Sequence, residues 1–176
     1  MVAETLTGSR AAAAVQPSAV NGAGLLQVAY GTYPILVAAL EAADIFKMCK
    51  LPKNSLVVGG RFHCADLDTG SETVDIDCGW ASNGGGSATY TGSDGITYTN
   101  MYDGSAAPAG FVNSGVLTGA VITSVLAAGN NLRIFPMTNG PIFFSEDTTV
   151  QLQVVATQAT PQAGTAYVMV EYVVLG

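Results

Sequence analysis

At 176 residues, 49% hydrophobic and only 11% charged, the chain has the length of one domain and is too apolar for disorder. A fold of that size removes about 70% of the unfolded surface from water without metal or disulfide staples. Six basic against 13 acidic residues, a net charge of -7, leave no basic stripe for nucleic acid or anionic lipid, and no run reaches the roughly 18 apolar residues of a membrane span.

Residues 1–24 hold mainly Ala, Ser, Gly, Thr and Val, with Pro17 and the turn-like Asn21-Gly22. They predict an N-terminal arm outside a single domain of residues 25–176. Two readings of the arm stand: a frayed terminus with a short helix over 11–16, or an extended arm lying on a neighbouring subunit. The opening MVAETLTGSR lacks a basic segment followed by an apolar one, so the expectation is synthesis in a cytosol.

Residues 25–30 and 35–40 predict two strands around a turn at Gly31-Thr32-Tyr33-Pro34, with strand favoured over helix for the second. A strand over 45–50 must stop, or move to an edge, at Pro52, which has no N–H for a ladder. After the turn Pro52-Lys53-Asn54, the residues Leu56, Val58, Phe62 and Cys64 share one face, while Ser55, Arg61 and His63 share the other. Asp68-Thr69-Gly70-Ser71 is turn chemistry. Beyond it Val74, Ile76, Cys78 and Trp80 alternate with Thr73, Asp75 and Asp77, so two alternating strands around one polar turn predict a hairpin.

Residues 81–110 are rich in Gly, Ser and Asn with Tyr90, Tyr98 and Tyr102, and predict a long loop. Such a loop reads as a surface insertion or as an adaptable contact loop, in which rigid aromatic rings supply area and small polar residues adapt. Residues 111–126 fit a strand or a short helix. Leu132 to Phe135 and Ile142 to Phe144 predict two short strands joined by a turn through Asn139-Gly140. The last hairpin is expected around Pro161, with Val150, Leu152 and Val154 facing the core on one strand and Val168, Val170 and Tyr172 on the next. Tyr167, Met169 and Val173 then fall on the opposite face, so this strand is apolar on both sides, as a central sandwich strand or an interface strand would be. Many short strands with turn-punctuated spacing and no second linker give an all-β, jelly-roll-like sandwich with an N-terminal arm and a long Gly/Ser/Tyr-rich loop.

Within this pattern Ala43-Asp44-Ile45, Lys50-Leu51-Pro52-Lys53, Asp66-Leu67-Asp68-Thr69-Gly70 and Val74-Asp75-Ile76-Asp77-Cys78-Gly79 stand in order. Together they resemble a segment of the head decoration (cement) proteins and related structural proteins of tailed bacteriophages, over about a quarter of the chain. The resemblance implies a jelly-roll sandwich on a capsid exterior, with the major capsid protein as partner.

Sites for chemistry are sparse. Asp66, Asp68, Glu72, Asp75 and Asp77 are dense enough in oxygen to suggest calcium, but their spacing matches no EF-hand loop and a solvated strand face is the preferred reading. His63 and Cys64 are adjacent on a strand and so point to opposite faces, which argues against zinc. Three cysteines without CxxC spacing fit a reducing compartment, as small core side chains. There is no GxSxG, HExxH or GxxxxGK[ST], so no catalytic residue, cofactor or metal is expected. Low charge and apolar surface beyond one core predict a self-associating protein, a homotrimer in preference to a dimer, and with the resemblance they imply a non-enzymatic virion component. Its contacts are expected at Tyr167, Met169 and Val173 and at Tyr90, Tyr98 and Tyr102. A lectin-like or receptor-binding sandwich of a phage tail, using the 81–110 loop, is the alternative.

Overall fold

A computed structural model describes residues 5–7, 25–36, 40–65, 67, 74–84, 89–91, 97–99, 107–112, 132–135, 141–157 and 160–175. These form twelve strands: β1 (Thr5–Thr7), β2 (Leu26–Ile35), β3 (Ile45–Leu51), β4 (Ser55–Cys64), β5 (Asp75–Trp80), β6 (Thr89–Thr91), β7 (Thr97–Thr99), β8 (Ala107–Val112), β9 (Leu132–Ile134), β10 (Ile142–Phe144), β11 (Thr148–Ala156) and β12 (Gly164–Val174). Sheet I has the order β1-β3-β11-β5-β8. Sheet II has the order β10-β4-β12-β2, with β9 also on β4, and β6 and β7 make a separate small hairpin.

Setting aside β1, β6, β7 and β9, the pairings are nested. β5 pairs with β8, β4 with β10, β3 with β11 and β2 with β12, all antiparallel. That nesting, with successive pairs placed alternately in the two sheets, is the double Greek key of a jelly roll. The expected all-β jelly-roll sandwich is therefore the fold. The arm's described part, β1, adds in parallel to β3 of its own chain, with Leu6 opposite Phe46.

Both expected long hairpins are corrected. β4 and β5 lie in opposite sheets, as do β11 and β12, so Leu152 and Val154 enter the core from one sheet and Val168 and Val170 from the other, and they share no ladder. Alternation tells which face of a strand is buried and is silent about its partner. The expected turn at Gly31 is also corrected, because β2 runs unbroken through Tyr33 and Pro34 to Ile35. Gly31 is there for a close approach: a Cβ on it would overlap the backbone carbonyl of Met48 on β3. Val58, expected in the core, is 39% exposed. A bulge between Glu171 and Tyr172 pairing leaves Val58 as the extra residue of β4, so Ser55 and Val57 point inward and the phase reverses before Gly60, Phe62 and Cys64. The predicted loop of 81–110 contains β6 and β7 and the start of β8. Of the expected elements, 11–16 and most of 111–126 lie outside the described residues.

Between the sheets Trp80 of β5 meets Phe144 of β10 and Phe111 of β8 edge-on, at ring-centroid distances of 5.0 and 4.9 Å, and Phe111 stacks on Phe135 at 4.6 Å. Each such pair adds about 0.5–1.5 kcal/mol beyond its buried area, so this cluster ties sheet I to sheet II at one end of the sandwich. Tyr33 and Phe46, with centroids 5.0 Å apart, do the same elsewhere.

The connections are closed by local hydrogen bonds. Asp44 donates its N–H to the Glu41 carbonyl and accepts from the Glu41 N–H on Oδ2, which sets the tight turn into β3 and holds Ala43 at φ 74°. At the other end of β3, Pro52 stops the strand as expected, the Ser55 hydroxyl donates to the Pro52 carbonyl, and the Lys53 N–H donates to Asp147 Oδ1 at 2.8 Å.

Candidate interaction surface on sheet II

Strands β2, β12 and β4 lie side by side in register, so their outward side chains form rows. Tyr30, Met169 and Arg61 make one row, continued by Ile134 on β9. Thr32, Tyr167 and His63 make the next, while Val28, Glu171 and Gly59, then Leu26, Val173 and Leu56, follow on the other side. The result is a broad apolar and aromatic sheet face. Leu26, Val28, Tyr30, Val58, Ile134 and Tyr167, six of the large exposed hydrophobic residues, are on it.

Local packing explains why β2 contributes so much. Its inward positions are Gln27, Ala29 and Gly31, small or polar, because the strand is pressed against β3; the larger Leu26, Val28 and Tyr30 are left outward. The usual pattern of a half-buried strand is inverted there. Around Tyr30, Thr32, Arg61, His63, Tyr167 and Met169 the face hollows into a groove of about 270 Å³. The His63 and Tyr167 rings pack at 5.7 Å and 56°, and Arg61 Nη2 lies 3.6 Å from the Met169 sulfur.

The sequence-expected interface residues divide into two groups. Tyr167, Met169 and Val173 do share the outward face of β12, with Tyr167 exposed and the other two half-buried. Tyr90 and Tyr98 are register partners on β6 and β7, and Tyr102 lies outside the described residues, as do the side chains of that pair. Sequence reasoning missed Leu26, Val28, Tyr30, Arg61 and Ile134.

The remaining candidates carry no assembled site. Cys49, Cys64 and Cys78 are free and buried; burial pushes the Cys49 thiol up to about 12 and Cys78 well above its ordinary range, with Cys49 and Asp77 nearby adding to the effect. Cys64 and Cys78 come from opposite sheets and not from one hairpin. Asp75 and Asp77 lie half-buried along the outward side of β5, and Asp66, Asp68 and Glu72 are outside the described residues. Among the described residues no three His, Cys, Asp or Glu gather as a metal site would need.

No protein-family model matches the chain, and no curated protein matches it. Solved structures do. The fold is similar to a chain in the capsid of Ralstonia phage GP4, at 18% identity over 98% of both chains with a TM-score of 0.59. It is also similar to a chain of the capsid asymmetric unit of cyanophage Pam1, at 19% identity over 94% of this chain and 96% of that one, with a TM-score of 0.53. At these identities the likeness is one of fold, carried end to end.

Proposed function

We propose that this chain is a non-enzymatic structural component of a bacteriophage virion, a decoration protein that sits on the capsid exterior and reinforces contacts between capsid subunits. The observation that carries the reading is the apolar outward face of sheet II, on a jelly roll whose full-length structural neighbours are chains of phage capsids. A sheet that already has one face in the core needs a second apolar face only if something else covers it.

Geometry suits a clamp. A sandwich tied at its aromatic end presents a wide apolar face, and burying Tyr167, Met169 and Val173 against a neighbour contributes on the order of 5 kcal/mol before association costs. In this reading the chain self-associates, residues 25–176 form the sandwich, and residues 1–24 serve as an arm that strengthens attachment to the major capsid protein.

Adding the purified chain to bare phage capsids and imaging the particles tests the proposal. Ordered density for the sandwich on the outer shell, with greater resistance of the capsid to heat, is the expected result. Density confined to the tail, or specific binding on a glycan array with the head left bare, sinks it in favour of a receptor-binding appendage.

A further inference from the structure

We infer that the outward face of sheet II docks against a second copy of this chain, and that Arg61 of one copy pairs with Glu171 of the next. Among the described residues of this face these two carry the only formal charges. They are of opposite sign and stand in adjacent rows, Arg61 beside Met169 and Glu171 beside Gly59. Glu171 leans across the bare backbone of Gly59, its Oε2 3.1 Å from where a Cβ would stand. The contact described for the Arg61 guanidinium is the Met169 sulfur, a weak acceptor for a group with five strong donors. One cation and one anion side by side in an apolar field make a surface that is complementary to itself. In a two-fold dimer, where the same face meets itself, the crossed pair forms twice.

Size agrees with this occupant. The exposed parts of Leu26, Val28, Tyr30, Val58, Ile134 and Tyr167 amount to roughly 600 Å², most of the about 800 Å² that each partner brings to a standard interface. The apolar rows supply the affinity, and the crossed charges fix the register, since a shifted docking leaves each charge buried against hydrocarbon.

This assigns the self-contact within the reading proposed above, but its test needs no capsid. Sedimentation equilibrium of the full chain at micromolar concentration should show an oligomer. Arg61→Glu and Glu171→Arg should each weaken association about tenfold or more, and the two together should bring it back to within about threefold of the parent. Val28→Asp, on the rim strand β2, should also give a monomer, with circular dichroism and melting showing each variant folded. A monomeric parent, charge variants that associate normally, or a double variant as weak as its parts combined would overturn the inference. A chain that associates in this way yet ignores bare capsids sinks only the decoration reading; one that binds capsids as a monomer sinks only the self-contact.

Discussion

The two outward faces of the sandwich are built on the same backbone rule and end in opposite chemistry. Sheet I turns Lys47 and Lys50 of β3, Thr149, Gln151 and Gln153 of β11, and Asp75 and Asp77 of β5 away from the core, with Ile45 and Val155 among them. Sheet II turns out Leu26, Val28, Tyr30, Val58, Ile134, Tyr167, Met169 and Val173. On the first face Lys47, Lys50, Thr149 and Gln153 are partly open to water, while Gln151 is buried. The second face carries exposed apolar area beyond the core, the kind of surface that marks interaction sites in proteins generally.

The comparison breaks most completely when the interior common to both faces is loosened. Trp80→Ala removes the ring that bridges Phe111 and Phe144 and should cost about 3–5 kcal/mol in urea denaturation, taking association with it. Alkali probes sheet I from within, because Cys49 and Cys78 lie on β3 and β5. The unfolded chain releases these thiol protons near the ordinary value of 9.0, while the folded chain holds the Cys49 proton to about 12 and the Cys78 proton well above the ordinary range. Stability is therefore full below pH 9 and falls above it by about 1.4 kcal/mol per pH unit for each thiol. Urea midpoints at pH 8 and pH 10 measure the slope, and Cys49→Ala should reduce it.

Gly31→Ala acts where β2 of sheet II is pressed against β3 of sheet I. The new methyl meets the backbone of Met48, which cannot move aside as a side chain would, so about 1–3 kcal/mol of stability should be lost. Because β2 carries Leu26, Val28 and Tyr30, association should weaken as well. Ala43→Gly works on the other sheet: it relieves an L-residue at φ 74° in the turn before β3 and should add about 0.5–1 kcal/mol, with association unchanged. The finest comparison is a matched pair. Ile134→Lys and Val155→Lys each replace an exposed apolar side chain, 72% and 47% accessible, on opposite faces. Both should keep stability within about 0.5 kcal/mol of the parent, and only the first should lower association in sedimentation.

Much of the core was legible in the sequence because alternation is a local signal. Val74, Ile76, Cys78 and Trp80, Val150, Leu152 and Val154, and Val168, Val170 and Tyr172 all face inward as their spacing says. What alternation cannot carry is partnership, and so β4 was matched with β5 and β11 with β12. Nor does it register a bulge, and the extra residue at Val58 was enough to put Ser55 on the wrong face. The outward apolar face was half legible for the same reason. Tyr167, Met169 and Val173 stand out because their strand is apolar on both sides, whereas β2 was cut at Gly31 by a glycine whose role is contact with Met48. The signal that could have found the rest is the inverted size pattern of β2, large at 26, 28 and 30 and small or polar at 27, 29 and 31.

The nested pairing also sets how far apart along the chain the paired strands lie. β5 and β8 are the nearest of the four partners along the chain, with Cys78 beside Val112, and β2 and β12 are the farthest, with Leu26 beside Val173. Loop-closure entropy rises with separation, so the inner pair costs least to close and the outer pair most. β12 lies between β2 and β4, and the rows Tyr30–Met169–Arg61 and Val28–Glu171–Gly59 do not exist until it is seated. A half-folded chain therefore lacks these rows, and the apolar face of sheet II is complete only once β12 has joined β2 to β4.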